Sequence, residues 1–281
     1  QFRGIINYRD QWKSVTTQSY KTFDLSVDAE LRKKEWKSGY LGAGLVLFHD
    51  KAGTSKFSTL NASLSLSGII ILNAKNKFSL GLSGGFGQRS FTTDGLKWDS
   101  QYNGQSYDPN LPANESFTGS NFSYGDFAAG IQWMYGEGER YITAGDEFKA
   151  NFGVSMFHLN QPKQVYTIIT EKMDMKLLFN GGFAKGLGNS PIAIAPSFMY
   201  AAQGPASELY IGTMLKYKFK EDSKYTGFKK GASFSLGGFY RTSDAFVGVL
   251  QVDIAEFSSW FSYDLNVSDL TAASNGKGGF E

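Results

Sequence analysis

Leu60-Asn61-Ala62-Ser63-Leu64-Ser65-Leu66-Ser67 alternates without a break: positions 60, 62, 64 and 66 are apolar, and 61, 63, 65 and 67 are polar. Successive side chains of an extended strand leave on opposite faces. The stretch therefore predicts a strand with one apolar and one polar face. The next segment repeats the pattern, with Phe78, Leu80, Leu82 and Phe86 set against Ser79, Gly81, Ser83 and Gly85.

Further segments carry charge on the polar set. Phe23, Leu25, Val27, Ala29 and Leu31 alternate with Asp24, Ser26, Asp28 and Glu30. Met173, Met175, Leu177 and Phe179 alternate with Asp174, Lys176 and Asn180, with Leu178 as an exception. Phe246, Leu250, Val252 and Ile254 oppose Gln251 and Asp253, and Phe261, Tyr263, Leu265 and Val267 oppose Trp260, Ser262, Asp264 and Asn266.

Extended outward, the pattern predicts thirteen strands, near 3–12, 19–31, 39–49, 56–72, 76–91, 120–135, 148–159, 168–185, 192–202, 207–219, 231–241, 244–255 and 258–267. Strands of globular proteins usually have about 5–6 residues, whereas a tilted membrane strand needs about 9–11. Strand length thus favours an all-β transmembrane antiparallel β-barrel of about 14 strands over a soluble sandwich. The closing Gly278-Gly279-Phe280-Glu281 reads as the opening of a fourteenth strand. Bacterial single-chain barrels have even strand numbers, so most of that last strand is expected to be missing from the chain. The chain also opens directly in a strand-like segment, with no signal peptide in view.

Composition agrees. The chain of 281 residues has 33 Gly, 24 Phe and 15 Tyr against 6 Pro, which suits many strands and tight turns. No apolar run is long enough for a spanning helix. A formal charge of +2 gives no basic surplus for a nucleic-acid partner. With no cysteine and two histidines, no metal site or thiol chemistry is expected. No cofactor is indicated either. His49-Asp50 invites a triad reading, but no Gly-x-Ser-x-Gly elbow accompanies it, so no enzyme is expected. Gly84-Gly85-Phe86-Gly87 lies inside a strand and fails the context of a phosphate loop. The absence of a repeat, low-complexity tract or linker predicts a single domain over 1–281.

If the first strand runs outward from the periplasm, the turns 73–76, 186–191 and 256–257 face inward, and the longest connection, 92–119, faces out. That asymmetry is the one outer-membrane barrels show. The connections 136–147 and 220–230 are longer than it predicts. Clusters then fall on one rim, at the C-terminal ends of odd strands: Tyr8–Trp12, His49-Asp50, Gln88-Arg89, His158–Pro162, Tyr240–Asp244 and Tyr263–Asn266. Parity places Arg9, Asp50, Arg89, Arg241 and Asp264 toward the lumen, and His158 toward lipid unless its strand bulges. Two accounts of this rim stand side by side. One is a structural salt-bridge network, since buried charges need partners. The other is a polar pocket that receives a ligand or polypeptide. For Tyr8 and Trp12 the simpler reading is an interfacial aromatic girdle.

The same segments resemble the PorP/SprF family of the Bacteroidota type IX secretion system. The resemblance is carried by Tyr8-Arg9-x-Gln11-Trp12, Asp50-Lys51-Ala52-Gly53, His158-Leu159-Asn160-Gln161-Pro162, Tyr240-Arg241-x-x-Asp244-Ala245 and Ser262-Tyr263-Asp264-x-Asn266-x-Ser268. Ala272-Ala273-Ser274-Asn275-Gly276 and Gly278-Gly279-x-Glu281 complete it. It implies an outer-membrane location and no enzyme activity. In the gliding, SprF-type branch, which the chain resembles most, it implies a barrel that anchors the C-terminal sorting domain of a large secreted surface adhesin. In the other branch it implies contact with periplasmic ring, lipoprotein or peptidoglycan-linked components of the machine. The residues expected to bind cargo are Tyr8, Arg9, Trp12, Asp50, Arg89, His158, Arg241, Asp244 and Asp264. The aromatic connection 92–119 is expected to clamp apolar cargo surface. A small-solute channel is the rival reading from a different class, and a soluble β-sandwich module is a third.

Overall fold

A computed structural model of the chain describes residues 2–13, 15–31, 36, 38–115, 121–137, 147–165, 170–188, 190–220, 231–269 and 271–281. Its elements run β1 (Phe2–Gln11), β2 (Tyr20–Leu31), β3 (Gly39–Ala52), β4 (Phe57–Ile71), β5 (Asn76–Ser90), β6 (Asn121–Glu137), β7 (Phe148–Phe157), β8 (Lys163–Val165), β9 (Thr170–Lys172), β10 (Lys176–Gly186), β11 (Ile192–Gln203), β12 (Ala206–Lys220), β13 (Ala232–Arg241), β14 (Ala245–Ile254), β15 (Phe257–Asn266), α1 (Thr271–Ser274) and β16 (Lys277–Phe280). All but β8 and β9 pair with their neighbours, antiparallel throughout, into one closed barrel of fourteen strands, while β8 and β9 form a separate hairpin.

The alternation read from 60–67 sets the register. Leu64 stands opposite Leu45 and Gly84, and Ser65 opposite Gly44 and Ser83. Leu64 and Leu66 keep 66% and 67% of their surface exposed on the outside of the barrel. Phe2, Ile6, Leu80, Leu82, Phe127, Phe246 and Phe261 are exposed in the same way. Among the described residues no large side chain is completely buried. A sandwich would bury an apolar core between its sheets, so that reading fails. An apolar outside with a Ser-, Gly- and charge-lined inside is the pattern of a barrel set in lipid, where closure satisfies the backbone groups that hydrocarbon cannot.

Three expectations are corrected. First, the fourteenth strand is present: Lys277–Phe280 forms β16, which pairs with β15 and also with β1 through Asp10↔Phe280 and Gln11↔Gly279. It is short, and it closes the upper part of the seam, upper meaning the rim reached by the end of β1. Second, the segment 168–185 is not one strand. Thr170–Lys172 belongs to the β8–β9 hairpin, and the barrel strand begins at Lys176. Met173, read as the first residue of an alternating run, instead donates its N–H to the Pro162 carbonyl and is buried beside the hairpin. Third, His158 turns away from its lipid-side parity, for the reason given below. Most of 136–147 and 220–230, with 116–119 of the long connection, lies outside the described residues.

Local chemistry explains the connections. Asn73 accepts the N–H groups of Lys75 and Asn76, both at 2.9 Å, which closes the turn between β4 and β5. In the long connection, a 3-10 turn at Asp99–Gln101 buries Gln101, whose amide bridges the Trp98 N–H and the Leu111 carbonyl. The Lys97 ammonium lies 4.9 Å from the centre of the Tyr107 ring. The loop is thus bonded to itself rather than trailing.

Candidate functional site

Charged residues gather where the barrel closes. Asp264, on β15, is 4% exposed and accepts hydrogen bonds from two guanidinium groups. Arg9 Nη2 donates to Asp264 Oδ2 at 2.6 Å and Arg241 Nη2 to the same oxygen at 2.8 Å. Arg241 Nε also donates to Asp244 and stands 3.4 Å from Glu208 Oε1. Glu281 accepts from Asn7 Nδ2 and lies 3.9 Å from Arg9 Nη1. One chain of ion pairs therefore links β12, β13, β15 and β1 with Glu281, the residue that follows β16. Such a buried pair is sustained only when further partners share its charge, and here Asp264 takes two guanidinium groups while Arg241 also reaches Asp244.

Glycine makes this possible. A Cβ on Gly278 would sit 2.4 Å from the Asp264 carbonyl oxygen, and one on Gly279 would sit 3.4 Å from Arg9 Nε. The bare backbone of β16 passes between the two charged residues without holding them apart. Asn266 secures the approach: its Oδ1 accepts from Ser268 N and Oγ at 2.9 and 2.6 Å, and its Nδ2 donates to Ser274 Oγ of α1 at 3.1 Å. The motif pieces at 262–268 and 272–281 are the parts of this closure.

The other expected residues sit on the same rim but apart. Arg9, Thr22, Asp50, Thr59, Arg89 and Phe122 are opposite one another in turn, one ladder row across six strands. Asp50 accepts from Thr22 Oγ1 at 2.7 Å. Arg89 Nη1 donates to Gln164 Oε1 of β8 at 2.7 Å, which brings the hairpin over the lumen. His158 has φ +58°, and Gln161 has φ +44°. That left-handed turn swings the imidazole inward, where Nδ1 meets Asp126 Oδ2 at 2.9 Å. Asn160 then imitates a neighbouring strand, donating to the Gly125 carbonyl at 2.7 Å. His158–Pro162 is thus the device that ends β7 and launches the hairpin.

Trp12, at φ +60°, packs against Tyr20 with ring centres 5.2 Å apart. Tyr8 does not join the mouth. It stands opposite Phe23 on the outside face, half exposed, as a girdle residue. Residues the motifs did not single out are Glu208, Asp126, Thr22 and Gln164. The first three sit at lumen parity near the upper rim, a positional signal. Gln164 lies in a hairpin that strand periodicity does not reveal.

The opposite rim carries its own network. Asp253 accepts from Lys216, Ser233, Gln251 and Ser258 at 2.7–2.8 Å. Lys218 pairs with Glu147, and Lys149 lies 3.5 Å from the same carboxylate. Desolvation pushes the Glu147 carboxyl up, but the two ammonium groups outweigh it and hold it below the ordinary glutamate value.

A closed antiparallel barrel with an apolar outside, and with its charges drawn inside and to the rims, is a transmembrane β-barrel protein. The family model described as "Type IX secretion system membrane protein PorP/SprF" matches residues 1–281, and the chain belongs to that family. No curated protein matches the chain.

Proposed function

We propose that the chain is an outer-membrane component of the secretion system that anchors the C-terminal domain of a large secreted adhesin at the cell surface. In this reading the upper rim faces outward. The observation that carries it is the upper rim itself: Arg9, Arg241, Asp244, Asp264 and Glu208 stand there in one fixed ion-pair chain. The connection after β5 and the β8–β9 hairpin leave from the same rim. Groups held in place before binding lose little freedom when a partner docks.

The pairing changes what each residue would do. Arg9 and Arg241 are engaged with Asp264, so they would shape the rim rather than reach for cargo carboxylates. Asp244 and Glu208 keep 45% and 49% of their side-chain surface and would face cargo directly. Tyr102, exposed in the long connection, would cover apolar cargo surface. The opposite rim would meet periplasmic lipoprotein or peptidoglycan-linked parts of the machine, and the outside face would meet outer-membrane lipid.

The test is mass spectrometry of what stays bound to the native protein in mild detergent. A secreted adhesin near one-to-one, lost on replacing Arg241 by Ala in a normally assembled barrel, is the expected result. Periplasmic lipoproteins alone would turn the reading to a structural role in the machine.

A further inference from the structure

The outward face of the barrel gathers its charge near the upper rim on one side. Asp10, Lys21 and Lys51 stand opposite one another in turn across β1, β2 and β3. They share the outward parity of Tyr8, Phe23 and His49, since Arg9, Thr22 and Asp50 beside them face the lumen. The same row continues through Ser58, Ser90 and Asn121, all neutral. On β10 to β15 the outward side chains near this rim are Leu177, Tyr200, Leu209, Tyr240, Phe246 and Leu265. A girdle that merely met headgroups all round would not be confined to three strands.

Lys21 and Lys51 form a cross-strand pair. Such side chains leave Cβ atoms about 5 Å apart, and like charges so placed repel. Both are exposed, and neither forms an ion pair among the described residues. Asp10 stands next to Lys21 without pairing with it, and its Oδ1 is buried with no hydrogen-bond partner. Asp94 and Asp269, in adjoining connections, do not pair with these lysines either. The repulsion is left for an outside anion to relieve.

Two more exposed lysines flank the pair. Lys13 follows Trp12, whose N–H donates to the Gly278 carbonyl at 3.1 Å. Lys56 ends the β3–β4 turn at φ +49°, its N–H on the Gly53 carbonyl at 3.0 Å. That turn is tied down in turn: the Ser55 carbonyl accepts from the Thr92 N–H at 2.8 Å. The backbone under the lysines is held, while their ammonium groups move on long stems. From the end of β1 to the start of β4 the patch spans three strand spacings, about 14 Å.

Below the charge comes a second layer. Two residues down, about 7 Å, Tyr8 and Phe23 keep 51% and 42% of their surface exposed. One step further, Ile6 keeps 69%. Lysine is tolerated on the lipid face near the interface and not at mid-depth, so the row marks the level of the headgroups. Cation, aromatic ring and aliphatic chain then follow the order of phosphate, interface and acyl tail along a lipid.

We propose that the outer side of β1–β3 at the upper rim is a binding site for a glycolipid whose headgroup carries two phosphates. One phosphate sits between Lys21 and Lys51, the second meets Lys13 or Lys56, and the acyl chains lie on Tyr8, Phe23 and Ile6. Lysine binds phosphate as a point charge, so two ammonium groups that repel each other become joint donors to one anion. A single phosphate would cover one lysine pair, whereas two match the width of the patch. The choice of a glycolipid rests on the outward reading of this rim, because such a lipid forms the outer leaflet.

The full protein in mild detergent is titrated by native mass spectrometry with bis-phosphorylated lipid A, with the same lipid stripped of phosphate, and with phosphatidylglycerol. The double variant Lys21→Gln/Lys51→Gln is expected to bind lipid A at least tenfold more weakly. Lys21→Arg/Lys51→Arg should stay within about threefold of the unaltered protein. So should Lys163→Gln/Lys172→Gln, which removes two exposed charges from the β8–β9 hairpin of the same rim. The stripped lipid should bind as weakly to the unaltered protein as lipid A does to the Lys21→Gln/Lys51→Gln variant. Undiminished lipid A binding in that variant, or equal binding of the stripped lipid, would overturn the site. Phosphatidylglycerol bound as tightly as lipid A would overturn the two-phosphate headgroup. Orientation is read separately with Thr93→Cys, the one thiol in a chain without cysteine. Its labelling by an impermeant reagent on intact cells is expected. Labelling only after disruption would overturn the outer-leaflet source and the outward rim together, whereas a failed titration strikes this inference alone.

Discussion

Arg9 and Asp264 lie 255 residues apart in the chain and meet at 2.6 Å across the barrel's closing strand. Their contact passes β16, whose Gly278 and Gly279 leave no side chain in the way. Arg241 reaches the same carboxylate from the other side. Among the described residues, Asp264 is therefore the group whose removal leaves two partly buried cations without their shared partner.

Replacing Asp264 by Ala should destabilise the barrel by about 3–5 kcal/mol, the range for breaking a buried pair from one side. Arg9→Ala and Arg241→Ala should each cost less, because one guanidinium still serves the carboxylate. Their effects should not add, since they share it. Urea unfolding in lipid vesicles measures all three. Additive losses for the two Arg variants would mean that the pairs act separately.

Gly278→Ala places a methyl group 2.4 Å from the Asp264 carbonyl oxygen, a contact that backbone must move to relieve. A cost of about 1–3 kcal/mol is expected, as for other overpacked sites. Heat-modifiable gel mobility should show the variant opening at lower temperature. Unchanged mobility would mean that β16 has slack at this point.

Leu64 and Ser65 are adjacent in β4 but face lipid and lumen. Arg in place of Leu64, near the middle of the strand, should cost about 2–4 kcal/mol. Arg in place of Ser65 should cost much less, with water and carboxylates within reach. Assembly yield and urea midpoints of the two variants compare the faces. Equal penalties would contradict the assignment of inside and outside.

The pH dependence has a definite sign at Glu147, which lies outside the strands. Its carboxyl is held below the ordinary value in the folded protein, by Lys218 and Lys149 against the upward push of desolvation. A lowered folded pKa means that the unfolded chain takes up a proton first as pH falls. The contribution is therefore fully present above the ordinary glutamate value and fades as pH drops through the lower, folded one. Glu147→Gln should flatten that acid limb while leaving neutral-pH assembly intact. An acid limb unchanged in Glu147→Gln would assign it to other carboxylates.

Strand identity was legible because one covalent regularity produces it. Side chains alternate along an extended backbone, and lipid on one side with a polar lumen on the other sorts them by polarity. Leu60–Ser67 shows this with no tertiary knowledge. The same parity placed Arg9, Asp50, Arg89, Arg241 and Asp264 inside, and their position at odd-strand ends placed them on one rim. The resemblance to the PorP/SprF family rested on motifs that include Arg9, Asp50, Arg241 and Asp264, and the family match covers the whole chain.

Alternation fails wherever the backbone leaves the extended region. His158 reads as lipid-facing until its φ of +58° turns it to Asp126. Met173 continues a period it does not belong to, because β8 and β9 pair with each other outside the barrel. A four-residue strand such as β16 is too short to show a period at all.

The sequence by itself determined the strands, their faces and the rim on which the charges collect, because these depend on neighbours one or two residues away. Only the tertiary structure decided which charges meet. Closing the barrel brings β1 beside β16 and β15, and it is that closure, with two glycines at the seam, that gives Arg9 and Arg241 one carboxylate to share. Contacts across the closure depend on the distance through space between strands far apart in the chain, which no local period records.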